Sequence, residues 1–190
     1  TLVDAAGIKA FDLLCDLLDG ALGEDANKAN GEDYSWIWRP AIEPHEQNLS
    51  NGDLKDVLVD GVRDTGSTLA ATGRDACSTL LENLAKRQRP IFRRLRLYFL
   101  CEHHEIAPEK ALQAAADRSN FVDPHVYHEY MTLLSAVFSD LAPEMKAIVL
   151  GWISDGSDVD EMDGDPVLRE MRKIHWQVRR LCVLRNVLPA

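Results

Sequence analysis

The sequence predicts an all-α fold of about seven helices, stacked as antiparallel hairpins. Apolar residues recur at helical spacing along most of the 190 residues, and prolines stand where helices would begin. No sustained alternation of apolar and polar residues indicates a β-strand. Because 46% of the residues are hydrophobic, the chain can bury a core instead of remaining disordered.

The first predicted element is an N-terminal helix. Apolar residues at helical spacing predict it over residues 2–18, within an N-terminal segment of residues 1–22. We expect Gly20 and Gly23 to end this helix, because glycine is unfavourable inside a helix and common just after one.

Residues 23–52 are predicted to form a long loop, since they combine glycine, proline and many asparagine, aspartate and glutamate residues. A disordered linker rarely carries several aromatic side chains, so part of this loop should pack on the helices. Its aromatic cluster consists of Tyr34, Trp36 and Trp38.

Residues 53–190 are predicted to be the helical-repeat region, with Asp53 as the cap of its first helix. Five prolines occupy predicted first helical positions, where the missing N–H costs nothing: Pro90, Pro108, Pro124, Pro143 and Pro166. The clearest apolar stripe consists of Val126, Tyr130, Leu133, Leu134, Val137 and Phe138. In the last helix the predicted inward face is Leu168, Met171, His175, Val178, Leu181 and Cys182.

The spacing of the prolines predicts a two-helix unit that is used twice. Pro90 and Pro124 are 34 residues apart, and Pro108 and Pro143 are 35 residues apart. This period is similar to that of TPR repeats, but their Trp-Leu-Gly-Tyr pattern is absent, so a looser HEAT-like α-solenoid describes it better. The alternative is an irregular helical bundle in which proline simply marks helix starts.

Charge and cysteine usage limit the partners and the compartment. The net charge of -10 disfavours nucleic acid or an anionic membrane as a partner of the whole surface. No segment reaches the ~20 apolar residues that span a bilayer, so no membrane is expected. The four cysteines form no CxxC pair, which indicates reduced thiols and a cytoplasmic protein. Because helical periodicity is present from Thr1 without an initiator Met, we expect a fragment of a longer chain.

No pattern predicts catalysis or a cofactor. The chain lacks the GxxxxGK[ST] phosphate loop and the GxSxG nucleophile elbow. His125, His128 and Glu129 cluster, but HExxH is absent, and His128 and Glu129 lie ~100° apart around a helix. We interpret them as polar residues beside the core stripe and expect no metal.

One concentrated basic patch lies at residues 86–96, in KRQRPIFRRLR. A functional interpretation is contact with phosphate or with an acidic partner surface. The interpretation we favour is pairing inside the molecule, because the chain has 31 acidic residues. The candidate partner-binding residues of this patch are Arg89, Arg93, Arg94 and Arg96.

Two segments carry a resemblance to a known family: WRPAIEPHEQ at residues 38–47 and IFRRL at residues 91–95. They resemble the helical-repeat regions of very large bacterial STAND-type NTPases and related ATP-binding proteins of antiphage defence islands. The resemblance covers residues 34–155 and includes no NTPase motif, so no nucleotide site carries over. It implies a sensor or scaffold segment that recognises a partner, such as a phage protein, and signals to an effector domain elsewhere.

The loop that carries this resemblance also has the composition of a binding hot spot, because it mixes large aromatics with arginine. The alternative is a structural cover over the first hairpin, with Trp36 and Ile37 in the core. The candidate partner-binding residues of the loop are Trp36, Trp38, Arg39, His45, Glu46 and Gln47.

Together these patterns favour a non-enzymatic protein-interaction module, acting as sensor or scaffold in a large cytosolic bacterial defence or signalling protein. The first alternative is a helical module that contacts nucleic acid through the patch around Arg93. The second is a small metal-dependent enzyme with a His/Glu site, which ranks last because its ligands do not converge.

Overall fold

The computed structural model of the chain describes residues 6–26, 33–45, 48, 53–156 and 165–188. Within these ranges the chain forms ten α-helices, two short 3-10 turns and no strand, which confirms the all-α prediction. The helices are α1 (Ile8–Ala26), α2 (Ser35–Trp38), α3 (Leu54–Ala70), α4 (Arg74–Ala85), α5 (Pro90–Glu102), α6 (Pro108–Ala115), α7 (Arg118–Val122), α8 (Tyr127–Val137), α9 (Pro143–Asp155) and α10 (Pro166–Leu184).

Prolines and aspartates set the helix starts. Pro90, Pro108, Pro143 and Pro166 each begin a helix, as predicted, and Pro124 begins the 3-10 turn that leads into α8. Aspartate side chains accept a hydrogen bond from the backbone N–H two residues ahead at four helix or 3-10 starts. These capping residues are Asp53, Asp117, Asp123 and Asp165.

The predicted end of the N-terminal helix is wrong. Helix α1 continues through Gly20 and Gly23 to Ala26, so the predicted loop at residues 23–52 starts later and contains the short helix α2. The cost of glycine in a helix is only about 1 kcal/mol. The buried stripe of α1 outweighs it, because Leu18 and Leu22 on either side of Gly20 both pack into the core.

Helices α5 and α8 lie at the centre of the fold. Helix α1 packs on α3, α3 on α4 and α4 on α5, while α8 contacts α5, α6, α7 and α10. All six residues of the apolar stripe predicted around α8 are buried, including Leu133, which has no exposed area. The packing of α5 on α8 suits both stacked hairpins and a bundle, and the choice between them stays a prediction.

Gly66 allows α3 to approach its neighbours closely. A Cβ at this position would overlap the ring of Phe99 from α5 and lie 3.0 Å from Cε2 of Phe11 from α1. The two rings pack edge to face with their centroids 6.3 Å apart. A side chain at residue 66 would therefore displace the aromatic pair that joins α1 and α5.

The predicted inward face of the last helix is also wrong. Every one of those six residues is exposed, and α10 instead packs through Trp176, Arg180 and Leu184, which recur every four residues. Gln177 adds a hydrogen bond of 2.9 Å from its Nε2 to the Ser154 carbonyl of α9. The consequence is an apolar stripe on the outside of α10.

Among the described helices, none combines the length and the apolar composition that a bilayer span requires.

Candidate functional site

The segment at residues 39–45 is held to α3 by a buried arginine. Arg39 is 1% exposed, and its guanidinium lies 2.6 Å from an Asp60 carboxylate oxygen and 3.3 Å from one of Asp56. Its Nε also donates to the carbonyl of Ala41. Arg63 reinforces the contact by donating to Asp60. Arg39, a candidate partner-binding residue, is therefore an internal connector in this structure.

A second buried arginine joins the same segment to α5 and α8. Arg94 donates to both oxygens of Glu129, at 2.7 and 2.9 Å, and to the carbonyl of Pro40 at 3.2 Å. The Ile42 backbone N–H donates to Glu129 at 3.2 Å, and the Ile42 side chain is completely buried. Arg94, a candidate partner-binding residue of the basic patch, thus lies in the interior.

The aromatic part of the loop is anchored through Asp33. Its carboxylate accepts hydrogen bonds from the backbone N–H groups of Ser35 and Ile91, and its carbonyl accepts one from the indole of Trp38. Ile37 is 60% exposed, so it does not plug the core as the structural-cover interpretation expected. Ile42 of the same segment is completely buried instead.

The remaining loop candidates lie in different surroundings. Trp36 is 46% exposed and stacks on His125, with ring centroids 5.8 Å apart, and Trp38 is half-buried below Lys55. His45 is exposed. Glu46 and Gln47 lie outside the described residues.

Most of the basic patch pairs inside the molecule. Arg89 reaches Asp19 of α1 at 2.6 Å, and Arg93 reaches Asp123 at 2.7 Å. Arg93 also donates to the Asn120 side chain. Arg96 is half-buried with no hydrogen-bond acceptor at its Nε, and burial lowers the pKa of its guanidinium. The arginines of the patch that have carboxylate partners are thus already neutralised.

A His/Glu cluster forms that the sequence did not predict to converge. Glu43, from the loop, brings Oε1 to 2.6 Å from Nε2 of His128, and Glu129 is close enough for all three to offer ligand atoms within 4.8 Å. The Glu129 oxygens, however, already accept from Arg94 and Ile42. The adjacent guanidinium charge opposes a divalent cation, so the donor set fits an ion pair better than a metal centre.

The pair of His128 and Glu43 should make stability depend on pH. Their hydrogen bond raises the pKa of His128 above 6.5 and lowers the pKa of Glu43 below 4.5. The histidine contribution is complete below pH 6.5 and is lost as the pH rises through its raised pKa; the glutamate contribution is complete above pH 4.5. We expect His128→Ala to cost more at pH about 5.5 than at pH about 8.5, and below about 1 kcal/mol because both groups are partly exposed.

Urea unfolding of the wild type and His128→Ala at the two pH values measures this difference. The matched variant Glu43→Gln removes the other partner and should show the same trend. An equal cost at both pH values would mean that the pair does not form in solution.

A cleft of about 1010 Å³ lies between α10, the N-terminal end of α8 and the Trp36 segment. This size is at the upper end of the range for small-molecule sites. Its aromatic lining consists of Trp36, Tyr127 and Trp176. Its cationic lining consists of Arg94, Arg172, Arg179 and Arg180, whereas Glu129 is the sole carboxylate among the described residues that line it.

Arg180 is the most unusual residue of this cleft. It is 7% exposed, and its guanidinium lies 3.5 Å from the ring centroid of Trp176 and 4.8 Å from that of Tyr127. Its Nε is buried without a hydrogen-bond acceptor, and burial lowers the pKa of Arg180 to about 10. No carboxylate of the described residues pairs with it, so stacking on the aromatic rings holds it in place.

Sequence reasoning missed this cleft because it assigned the wrong face of α10 to the core. The available signal was the spacing of Trp176, Arg180 and Leu184, which places all three on one side of a helix. Arginine is usually exposed, so a stripe that contains one predicts a buried face less strongly than the fully apolar stripe of α10 does.

Comparison with known proteins returns no match to this chain, whether to a family model, a curated protein or a solved structure.

Proposed function

We propose that this chain is a non-enzymatic protein-interaction module whose helix α10 binds an acidic amphipathic helix of a partner protein. The observation that supports this proposal is a regular apolar stripe on the exposed side of α10. In a larger parent protein, a module of this kind would serve as the sensor or scaffold that the family resemblance implies.

The stripe has the spacing of a coiled-coil seam. Its residues follow one another at intervals of 4, 3, 4 and 3, which is the a/d pattern of two heptads. All of them are between 38% and 68% exposed. Contiguous exposed apolar surface of this kind commonly marks an interaction site. The stripe residues are Val167, Met171, Ile174, Val178 and Leu181.

Charge indicates the kind of helix that would cover the stripe. Helix α10 contains five arginine and lysine residues and one glutamate, although the whole chain has a net charge of -10. In this register the arginines and the lysine lie at positions b, c and f, so they act on a partner helix through the net positive charge of α10 and not through e/g pairs. A second copy of α10 would carry the same positive charge and is disfavoured. A helix with apolar a/d positions and acidic flanks is therefore the matching occupant.

The nucleic-acid alternative receives less support from the same charges. Arg89, Arg93 and Arg94 each have a carboxylate partner within the molecule, so phosphate would have to displace internal ion pairs. A catalytic function receives no support from these residues, because the cluster around His128 is an ion pair next to a buried arginine.

A designed peptide tests the proposal. A fluorescent helical peptide of about three heptads, with leucine at a and d and glutamate at e and g, should bind the chain with saturable anisotropy. The same peptide with lysine at e and g should bind at least about tenfold more weakly. Its apolar face is identical, so the comparison isolates charge.

Two matched substitutions locate the binding surface. Ile174→Asp on α10 should abolish peptide binding, whereas Ile148→Asp on α9, at a position that is 45% exposed, should leave it unchanged. Absence of binding to the wild type, or equal effects of the two variants, would contradict the proposal. So would a stable dimer in sedimentation, or duplex DNA binding that Arg93→Ala weakens.

A further inference from the structure

Arginine is the main charged residue of the cleft beside α10. Four arginines line it against one glutamate, and that glutamate is already bound by Arg94 on both oxygens. Arg180 has no carboxylate partner among the described residues, although it is more than nine-tenths buried. Burying a charge without a partner is costly, so an anionic ligand is the natural complement.

Arg180 is held by aromatic rings and not by a carboxylate of the described residues. The rings of Trp176 and Tyr127 stack against the guanidinium, and its Nε–H has no acceptor. A buried guanidinium without a counter-charge, in a cleft lined by further arginines, suits a phosphate, which accepts several N–H bonds at once.

The aromatic lining of the cleft indicates a second feature of its ligand, a planar ring. Trp36 stacks on His125 on one side and is still 46% exposed at the cleft. A planar ring of a ligand can stack on the free part of this indole. The volume of about 1010 Å³ is sufficient for a ligand with both a ring and a charged group.

We infer that this cleft binds a small organic anion in which a phosphate group is joined to a planar ring, as in a nucleotide. Arg180 would hold the phosphate, and Trp36 would stack on the ring. Of the stripe residues, Met171 also lines the cleft whereas Ile174 does not, so the site adds a ligand to the proposed protein-interaction module.

Titration of the chain with AMP, inorganic phosphate and adenosine, followed by calorimetry and tryptophan fluorescence at low salt, tests this inference. We expect saturable AMP binding that changes the tryptophan emission, because Trp36 and Trp176 line the cleft. Inorganic phosphate and adenosine should each bind at least about tenfold more weakly, since each offers one half of the ligand. No saturable binding of AMP, or equal binding of AMP and inorganic phosphate, would overturn the inference.

Substitutions then separate the two halves of the site. Arg180→Gln should weaken AMP binding at least about tenfold, while the control Arg74→Gln, at a surface arginine whose side chain is 64% exposed, should leave it unchanged. Trp36→Ala should weaken the binding of AMP but not of inorganic phosphate. Because Trp36 is half exposed, this variant decides the question even if Arg180→Gln unfolds. AMP binding that survives Trp36→Ala unchanged would contradict the inference.

The outcome is separable from that of the proposed function. Ile174→Asp, which should abolish peptide binding, should leave AMP binding intact, because Ile174 does not line the cleft. Failure of the peptide experiment alone would leave the anion site standing, and failure of the AMP experiment alone would leave the helix-binding stripe standing.

Discussion

Glu129→Ala should lower the free energy of unfolding by about 3–5 kcal/mol. Glu129 and Arg94 are each at most 2% exposed, and the carboxylate accepts two hydrogen bonds from Arg94 and one from the Ile42 backbone. Truncation leaves a buried guanidinium without a counter-charge and a buried N–H without an acceptor. Both losses act at the junction of α5, α8 and the loop.

Urea unfolding measures the effect, and two further variants interpret it. Glu109→Ala removes a carboxylate that also faces an arginine, but its side chain is 77% exposed, so we expect a cost of about 0–1 kcal/mol. The double variant Arg94→Leu with Glu129→Leu should recover much of the loss, because an apolar pair can replace a buried ion pair. Equal costs for Glu129→Ala and Glu109→Ala would show that the buried pair does not form.

This ion pair also explains why the loop was hard to interpret from sequence. Large aromatics next to arginine are typical of binding hot spots, but the same composition occurs where arginines carry a buried network. Arg39 pairs with residues 17 and 21 positions away, and Arg94 pairs with one 35 positions away. Which of the two interpretations applies depends on those distant partners, and no local pattern contains that information.

The helices themselves were predictable because their signals are local. Proline at the first helical position acts within one turn, so it predicts the starts of α5, α6, α9 and α10, and Asp165 adds a cap before α10. The stripe around α8 was also clear, because it offers a single apolar face. Local signals failed at Gly20, where tertiary packing of Leu18 and Leu22 extends the helix beyond its intrinsic preference.

Helix α10 was ambiguous because it carries two competing stripes. The heptad stripe that includes Met171 and Ile174 is the more apolar one, and the stripe with Trp176 and Arg180 is the one that packs. Arg180 can be buried because its planar guanidinium stacks on Trp176 and Tyr127. The anion cleft and the proposed docking stripe both result from this choice of face, so neither could be predicted from the apolar pattern.

Leu133→Ala should cost roughly 2–5 kcal/mol, since it removes a completely buried side chain from the helix on which α5, α6, α7 and α10 all pack. His128→Ala lies on the same helix and removes a side chain that is 44% exposed, with one ion pair to Glu43, so its cost should stay below about 1 kcal/mol. Urea unfolding of both variants compares the two faces of α8 under one condition. Both substitutions place alanine in α8, so differences in helix propensity contribute little to the expected difference between the two losses of unfolding free energy. A larger loss for His128→Ala than for Leu133→Ala would mean that α8 presents a different face to the core.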